Sequence, residues 1–254
     1  MNKNNQEEMK MALNERQNSI IKILKEKRNA DVKSLAKALF VSEATVRRDL
    51  TEMQKLGLLE RSHGGAVLLE NADEVSIFVR MNKNSKEKER VASIALNKLP
   101  PFQSLFIDSS STALALAERM DLSYKTVVTN NLQTAITLSK KKNINLILLG
   151  GYVQYNTVSA TGSFTSKQLE EFYFDLMISS CSAVIGAEVL EHSLEQKEIK
   201  KTAFMRSNKH ILLFDSSKYM GSGSYKVASL DEYEYVFTDK MPENIPENVN
   251  FIID

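Results

Sequence analysis

The sequence predicts an α/β protein in two parts, a short helical N-terminal segment and a larger domain built on a mostly parallel sheet. The chain has 254 residues, which is longer than one average domain. Apolar residues recur at helical spacing within the first seventy residues. Beyond about residue 85, short apolar runs alternate with helical stretches, a pattern typical of a parallel sheet covered by helices on both faces.

The composition excludes several classes of protein. Hydrophobic residues make up 43% and charged residues 26% of the chain, so a wholly disordered chain is excluded. No apolar run approaches the roughly 20 residues of a membrane helix, and the N-terminus lacks the apolar stretch of a signal peptide. We therefore expect a cytoplasmic protein that does not contact a membrane.

Cysteine and histidine usage argues against metals and disulfides. Cys181 is the single cysteine, so it cannot form an internal disulfide, and no cluster of Cys and His offers a zinc site. We expect neither a metal nor a cofactor. Cys181 is interpreted as a buried small residue, with a redox-sensing thiol as the alternative if a neighbour lowers its pKa.

Three helices are predicted near the N-terminus. Ser42 is suited to cap the third helix, and Gly57 follows its end, as glycines often do. On the third helix Val46, Leu50 and Met53 share one face, which we expect to be buried. The three helices are Glu15–Lys27, Lys33–Leu39 and about Glu43 to Leu56.

The opposite face of the third helix carries two adjacent arginines, Arg47 and Arg48. A guanidinium group can bind guanine O6 and N7 through two hydrogen bonds or contact phosphates. The alternative is that both arginines are solvated surface charges paired with Glu43 or Glu52. Net charge does not decide between them, because residues 1–70 carry only 13 basic against 10 acidic residues.

A longer ordered string of motifs favours DNA binding. The motifs are Leu35-Ala36, Val41-Ser42-Glu43, Thr45-Val46-Arg47-Arg48-Asp49-Leu50, Gly57-Leu58-Leu59 and His63-Gly64-Gly65-Ala66. The string resembles the N-terminal helix-turn-helix of the DeoR family of bacterial transcription regulators. The resemblance implies a winged helix-turn-helix domain over residues 1–70, with Leu59–Val67 as the β-wing and double-stranded operator DNA as the partner.

The resemblance also identifies candidate DNA-contacting residues on the third helix and the wing. His63 has a structural alternative, because it lies in a turn beside two glycines. The candidates are Ser42, Ala44, Thr45, Arg47, Arg48, Thr51 and His63.

The polar stretch Asn71–Asn84 is predicted to be a linker and the mechanical element between the domains. The second domain follows over residues 85–254. Its predicted helices are Lys86–Leu99, Thr112–Arg119, Leu132–Lys140 and Glu195–Ser207. Its predicted strands are Leu105–Ile107, Thr126–Val128, Leu146–Leu149, Phe174–Ser179, His210–Phe214 and Tyr235–Phe237.

Polar and glycine-rich segments follow four of these strands, where parallel sheets bind their ligands. Asp108–Thr112 is a hydroxyl-rich turn that opens a helix and therefore suits a phosphate group. Asn130 follows the next strand, and Gly150-Gly151 would let a ligand approach the backbone. Asp215–Lys218 adds a cation. The alternative is that these serines and threonines only cap helices.

The same segments resemble the effector domain of the DeoR family, which shares its fold with ribose-5-phosphate isomerase and senses phosphorylated sugars. The matching segments are Glu87–Ala92, Asp108–Thr112, Thr129-Asn130, Gly150-Gly151, Thr161-Gly162, Glu198–Lys201 and Asp215–Lys218. The resemblance implies a homodimeric or homotetrameric regulator, most often a repressor of a sugar-use operon, controlled by a phosphorylated sugar or polyol. The predicted effector-binding residues are Asp108, Ser109, Ser110, Ser111, Thr112, Asn130, Gly150, Gly151, Lys200, Asp215 and Lys218.

The sequence departs from the family pattern at two places, which leaves alternatives open. Ser110 stands where the family usually has glycine, and Ser180–Gly186 lacks the usual Gly-x-Asp at the strand end. A scaffold that has lost its ligand is therefore one alternative. A sugar-phosphate isomerase is another. Enediol chemistry requires a carboxylate base, and that segment lacks the acidic residues and the lysine that the isomerase carries, so we predict no enzyme. Lys200 could instead pair with Glu195 or Glu198 on its own helix.

Overall fold

The structure is a computed structural model. It describes residues 14–27, 29–55, 58–62, 64–68, 76–219, 221–242 and 248–253. The chain divides into two compact units, with the boundary between Lys83 and Asn84.

The first unit contains helices packed with a small antiparallel sheet in the order β1-β3-β2. Val46, Leu50 and Met53 are fully buried in its core, as the helical periodicity predicts. Its helices are α1 (Glu15–Lys27), α2 (Val32–Leu39), α3 (Glu43–Lys55) and α4 (Ile77–Asn82), and its strands are β1 (Asn29–Asp31), β2 (Leu59–Ser62) and β3 (Gly65–Leu68).

Short polar side chains determine where α2 and α3 begin. The Asp31 carboxylate accepts a hydrogen bond from the Ser34 N–H at 2.8 Å, so α2 begins at Val32, one residue before the predicted start. The Ser42 hydroxyl accepts from the Thr45 N–H at 3.2 Å, which confirms Ser42 as the cap of α3. Between the two helices Phe40 has a left-handed backbone and is 95% exposed. The predicted glycine stop at Gly57 lies outside the described residues.

Part of the predicted linker Asn71–Asn84 is helical. Residues 71–75 lie outside the described part, but Ile77–Asn82 forms α4. Ile77 and Val79 are buried, and Val79 belongs to the core of the first unit. With six residues, this helix is too short to show a helical period, and it is stabilised by burial.

The second unit is built on a seven-stranded sheet in the order β15-β14-β12-β9-β4-β5-β6, in which every neighbouring pair is parallel. This confirms the predicted mostly parallel sheet. The strands are β4 (Ser104–Ile107), β5 (Thr126–Thr129), β6 (Asn145–Leu148), β9 (Phe174–Ser179), β12 (Ser207–Leu213), β14 (Tyr235–Phe237) and β15 (Phe251–Ile252).

Both faces of this sheet are covered, which explains its continuous apolar strands. In β4, Leu105 and Ile107 pack into one core, whereas Phe106 packs into the core on the other face. Helices α5 (Ser85–Leu96) and α6 (Ser111–Arg119) contribute to the first core, and α8 (Ser163–Glu170) and α9 (Leu194–Met205) contribute to the second. Helix α7 (Leu132–Leu138) follows β5.

The sequence patterns missed several short elements. Strands β7 (Tyr152–Gln154) and β8 (Ser159–Thr161) form a hairpin, and β10 (Ala183–Ile185), β11 (Glu188–Glu191) and β13 (Tyr225–Ser229) form a second small sheet. With three to five residues each, these strands are too short to show a period. Helix α8 was also missed. In addition, α5, α7 and α9 end two or three residues before their predicted ends.

Candidate DNA-binding surface and effector site

The outward face of α3 carries the predicted DNA-contacting residues. Ser42, Ala44, Arg47 and Arg48 are exposed, and Thr45 and Thr51 are partly exposed. They lie opposite the buried residues of the same helix. The structure therefore brings six of the seven candidates to one surface, and the seventh, His63, lies outside the described residues.

The two arginines of this surface differ. Arg47 pairs with Glu43 at 2.7 Å, and both side chains are about half exposed, so the pair contributes little to stability. The predicted alternative partner Glu43 is thus correct for Arg47. Arg48 takes part in no ion pair or hydrogen bond with the described residues, so its guanidinium is available to a partner.

A buried ion pair fixes the orientation of α3. Asp49 is 1% exposed, yet it lies between the core positions of the helix, and Arg16 of α1 binds both of its carboxylate oxygens. The hydrogen bond that Arg16 donates to Asp49 is the main cause of the raised pKa of Arg16. Because this two-point contact locks α1 against α3, it holds the arginine face outward. The sequence signal was an acidic residue on an otherwise apolar helix face.

The wing contributes a further basic residue that the sequence analysis missed. Arg61 on β2 is exposed and donates to the Thr51 hydroxyl of α3 at 3.1 Å. Gly65 allows β3 to lie against β1, because a Cβ atom there would be 2.4 Å from the Ala30 carbonyl oxygen. The wing strands thus place a third arginine next to the α3 surface.

In the second unit, a buried lysine joins the ends of three strands. The ammonium of Lys200 lies 2.8 Å from Asp108 and 2.5 Å from Glu191, and it donates to the Ser180 carbonyl oxygen at 2.5 Å. Burial alone would lower the pKa of Lys200, but the attraction of Asp108 and Glu191 outweighs it and raises the pKa. Lys200 is therefore a permanent cation with three acceptors for its three protons.

This arrangement corrects the predicted surroundings of Lys200. Its partners are not Glu195 or Glu198, which interact with Ser193 and Lys197 respectively. Glu191 was missed because β11, which positions it, was itself missed. A lysine whose donors all bind protein acceptors can position a ligand site but has no proton left for a phosphate.

Three of the predicted ligand residues also make structural contacts. The two oxygens of Asp108 accept from the Ser110 and Ser180 N–H groups in addition to Lys200. Ser110 caps α6 by accepting from the Ala113 N–H, as the capping alternative predicts. Ser109 donates to Gln196, which is itself bonded to Ser159 across the site.

The glycines after β6 serve the packing of α8. The Gly150 carbonyl oxygen accepts from Thr165 and Gln168, both at 2.9 Å. A Cβ atom on Gly151 would lie 2.0 Å from the Thr165 hydroxyl oxygen. The packing of α8 thus accounts for both glycines without a ligand close to their backbone.

Ser111 and Thr112 have a different status. Both are buried in the first turn of α6, and neither hydroxyl has a hydrogen-bond partner among the described residues. The first-turn N–H groups of a helix also have no partner within the helix, and they attract anions. These two residues keep the donors that a phosphate group needs.

Several buried polar atoms lack a hydrogen-bond partner among the described residues, and two of them are carbonyl or carboxylate acceptors at this edge of the sheet. They are Oδ1 of Asn130 and Oδ2 of Asp215, in side chains that are 0% and 1% exposed. Asn130 uses its amide N–H to bind the Ala160 carbonyl oxygen at 2.9 Å, which fixes the orientation of its free oxygen. Buried acceptors without donors are uncommon in folded proteins and call for an explanation.

Cations surround one of these acceptors. Burial alone would raise the pKa of Asp215, but Lys218, the Ser217 hydroxyl and Lys88 outweigh it, and the pKa is lowered. Asp215 is therefore ionised at neutral pH. Lys88 of α5 is buried, and it was missed as a site residue although it lies within the matched segment Glu87–Ala92.

Cys181 does not have the surroundings of a reactive thiol. Burial, together with the negative charge of Glu191, raises its pKa to about 12. A thiol in that state stays protonated at neutral pH and is a poor nucleophile. The structure thus favours the buried-residue interpretation.

Two family models match the chain. A DeoR-like helix-turn-helix domain matches residues 16–72, and a DeoR C-terminal sensor domain matches residues 83–240. The chain belongs to the DeoR family of transcription regulators. This confirms the resemblance that the sequence motifs indicate.

Relatives in this family match most of the chain. The HTH-type transcriptional regulator GolR of Listeria innocua is 33% identical over 228 residues, covering 89% of this chain and 90% of the relative. The glycerol-3-phosphate regulon repressor of Escherichia coli is 30% identical, with coverages of 91% and 93%. The lactose phosphotransferase system repressor of Streptococcus mutans is 33% identical, with coverages of 82% and 84%.

Solved structures match more weakly. Ribose 5-phosphate isomerase A from Neisseria gonorrhoeae matches with a TM-score of 0.38 and 15% identity over 52% of each chain. Within the described residues, no helix is long and apolar enough to cross a membrane, and no group of three or more His, Cys, Asp or Glu residues is placed to hold a metal ion.

Replacing Lys200 by methionine is expected to destabilise the second unit by about 3–5 kcal/mol at neutral pH, because two buried carboxylates lose their cation. Because the pKa of Lys200 is raised above that of a free lysine, the wild-type ammonium stays charged well above neutral pH, so the deficit of the variant should be as large at about pH 9 as at about pH 7.

Denaturant unfolding followed by circular dichroism measures this difference. Lys201→Met, an exposed neighbour on the same helix, is the matched control and should show little loss at either pH. A Lys200→Met deficit that is no larger than that of Lys201→Met, or that disappears between about pH 7 and about pH 9, would contradict the buried ion cluster.

Proposed function

We propose that this protein is a cytoplasmic, DNA-binding repressor of a sugar-use operon whose operator affinity is controlled by a phosphorylated sugar or polyol. The observation that carries the effector part is the pair of buried acceptors on Asn130 and Asp215, which require donors such as ligand hydroxyls. The names of the relatives, which include repressors of a glycerol-3-phosphate regulon and a lactose phosphotransferase system, support the regulatory part.

For DNA, α3 is the recognition helix and enters the major groove. Arg48 reads a base or contacts a phosphate, because it is exposed and has no protein partner. Arg47 joins it after release from Glu43, and Arg61 of the wing contacts the backbone. Ser42, Ala44, Thr45 and Thr51 complete the contact surface, and His63 is retained as a candidate in the wing.

For the effector, the phosphate group lies at the N-terminus of α6, where Ser111 and Thr112 supply donors. The ligand hydroxyls donate to Asn130 and Asp215. Lys218 and Lys88 offset a phosphate charge of about −1.5 to −2. Lys200, Asp108, Ser109 and Ser110 hold the loops in place, and Gly150 and Gly151 hold α8 behind them.

No catalytic role is proposed. A general base must reach a substrate proton, and Asp108 and Glu191 are buried and bound to Lys200 and to serine donors. The unpaired oxygen of Asp215 is assigned to a ligand hydroxyl instead.

Arg48→Ala should weaken operator binding without unfolding the protein. If Arg48 reads a base, the expected loss of binding free energy is about 1–3 kcal/mol, with a relaxed sequence preference at one base pair. If Arg48 contacts a phosphate, affinity should fall uniformly on all sequences. The operator is first selected from random duplexes with the full chain. Fluorescence anisotropy at fixed salt then measures the affinity of each variant for that operator. Glu43→Gln is the companion variant, because it frees Arg47 and should strengthen binding. Unchanged affinity in both Arg48→Ala and Arg47→Ala would refute the proposed surface.

A homodimer or homotetramer is expected to bind the operator. One wing domain with little excess positive charge makes few phosphate contacts, so two copies on half-sites about 34 Å apart, or a multiple of that, give a useful affinity. Light scattering should show at least a dimer at micromolar concentration. A monomer that binds DNA one to one would exclude this assembly.

Thr112→Val should weaken the response to the effector and leave operator binding intact, since it removes a hydroxyl and nearly preserves shape. Thermal shift measures the binding of sugar and polyol phosphates and of the unphosphorylated parent compounds. A ligand at 100 times its Kd stabilises the folded protein by about 2.7 kcal/mol. Thr137→Val, on α7, is the matched control. Stabilisation by an unphosphorylated sugar alone, equal in wild type and Thr112→Val, would show that the phosphate assignment is wrong.

A further inference from the structure

Only two residues separate the helices at the boundary between the units. Lys83 and Asn84, here called the joint, lie between α4, which packs into the first core, and α5, the first helix of the second unit. Lys83 is extended, with φ −77° and ψ 133°, and Asn84 is left-handed, with φ 50° and ψ 37°. Four backbone dihedrals therefore set the direction of the chain at the joint.

The side chain of Asn84 binds a distant loop of the second unit. Its amide donates to Oδ1 of Asp215 at 2.9 Å and to the Ser217 hydroxyl at 3.0 Å. Glycine adopts the left-handed conformation with less strain than asparagine. What asparagine adds is the amide, which ties the joint to a loop more than a hundred residues further along the chain.

That loop, Asp215–Lys218, is here called the effector loop. Oδ1 of Asp215 accepts hydrogen bonds from Asn84 and Ser217, while its Oδ2 has no hydrogen-bond partner within the described part of the chain. The charge of the carboxylate is balanced by Lys218 and by Lys88, which lies one turn beyond Asn84 on α5. One oxygen of the Asp215 carboxylate thus binds the joint, and the other is the unpaired acceptor that is proposed to bind the ligand.

We infer that Asn84 is a positioning residue for the effector response: it couples the effector loop to the joint, so that a ligand at Asp215 changes the conformational freedom of the joint. A hydroxyl that donates to Oδ2, or an anion that draws Lys218 away, alters the hold of Oδ1 on the Asn84 amide. The inference rests on the effector site proposed above. It assigns the signal to a side-chain contact rather than to a long linker.

The test uses amide hydrogen exchange of the full chain, measured by mass spectrometry as protection factors for peptides that span the joint. Asn84→Gly keeps the left-handed backbone and removes both hydrogen bonds. Asn143→Gly is the matched control, because Asn143 is also left-handed, with φ 58°, and exposed. Ser217→Ala removes one partner from the loop side.

Asn84→Gly should speed exchange at the joint about 2- to 10-fold, the effect of losing hydrogen bonds of ordinary net strength. Ser217→Ala should speed it less, and the double variant should not exceed Asn84→Gly, because both changes act on the same contact. Asn143→Gly should leave the joint unchanged. Joint exchange that is the same in wild type and Asn84→Gly, or fully additive effects, would overturn the coupling.

Sodium phosphate, the group shared by all candidate effectors, separates this inference from the proposed function. Phosphate that alters exchange at residues 108–112 and at the wild-type joint, but not at the joint of Asn84→Gly, supports both. Phosphate that protects residues 108–112 without altering the wild-type joint overturns the coupling alone. Phosphate that alters neither segment counts against the effector site, while the variant effects still support the Asn84 contact.

Discussion

The second unit, which matches the sensor domain of the family, depends on the contacts of the buried Lys200 ammonium. The ammonium joins Asp108 at the end of β4, Ser180 at the end of β9 and Glu191 at the end of β11. Removing three charges from water is costly, and only close pairing and complete hydrogen bonding offset that cost. Apolar side chains of similar size could fill the same space without this cost. We therefore interpret the role of the cluster as fixing the positions of these strand ends.

This constraint divides the polar residues at the edge of the sheet into two groups. Those bound to Lys200 or to each other, such as Asp108 and Ser110, have satisfied hydrogen bonds and form a rigid support. Others, such as Thr112, Asn130 and Asp215, keep donors or acceptors that no described residue uses. Preorganised ligand sites have this division, because a ligand group binds best to side chains that need not reorganise.

The sequence predicts well what repeats along the chain and poorly what depends on one distant contact. The period of 3.6 residues predicted the buried face of α3, and the continuous apolar runs predicted a sheet covered on both faces. By contrast, no local pattern links Lys200 to Glu191, whose strand β11 has four residues, or Asn84 to Asp215. Gly151 is an intermediate case. The sequence predicted a close approach to its backbone but assigned it to a ligand, whereas the neighbour is the Thr165 side chain, from a helix that the patterns missed.

The short joint limits how a signal can leave the sensor unit. A flexible linker of fourteen residues would let its ends vary widely in separation and direction, so a change at one end would be lost before reaching the other. With two residues between α4 and α5, each dihedral of the joint moves a whole helix. A ligand can bias two states only by the difference in its free energy of binding to them, typically about 1–3 kcal/mol in such couplings. One or two hydrogen bonds at Asn84 are of that size, so a single side chain is enough to carry the response.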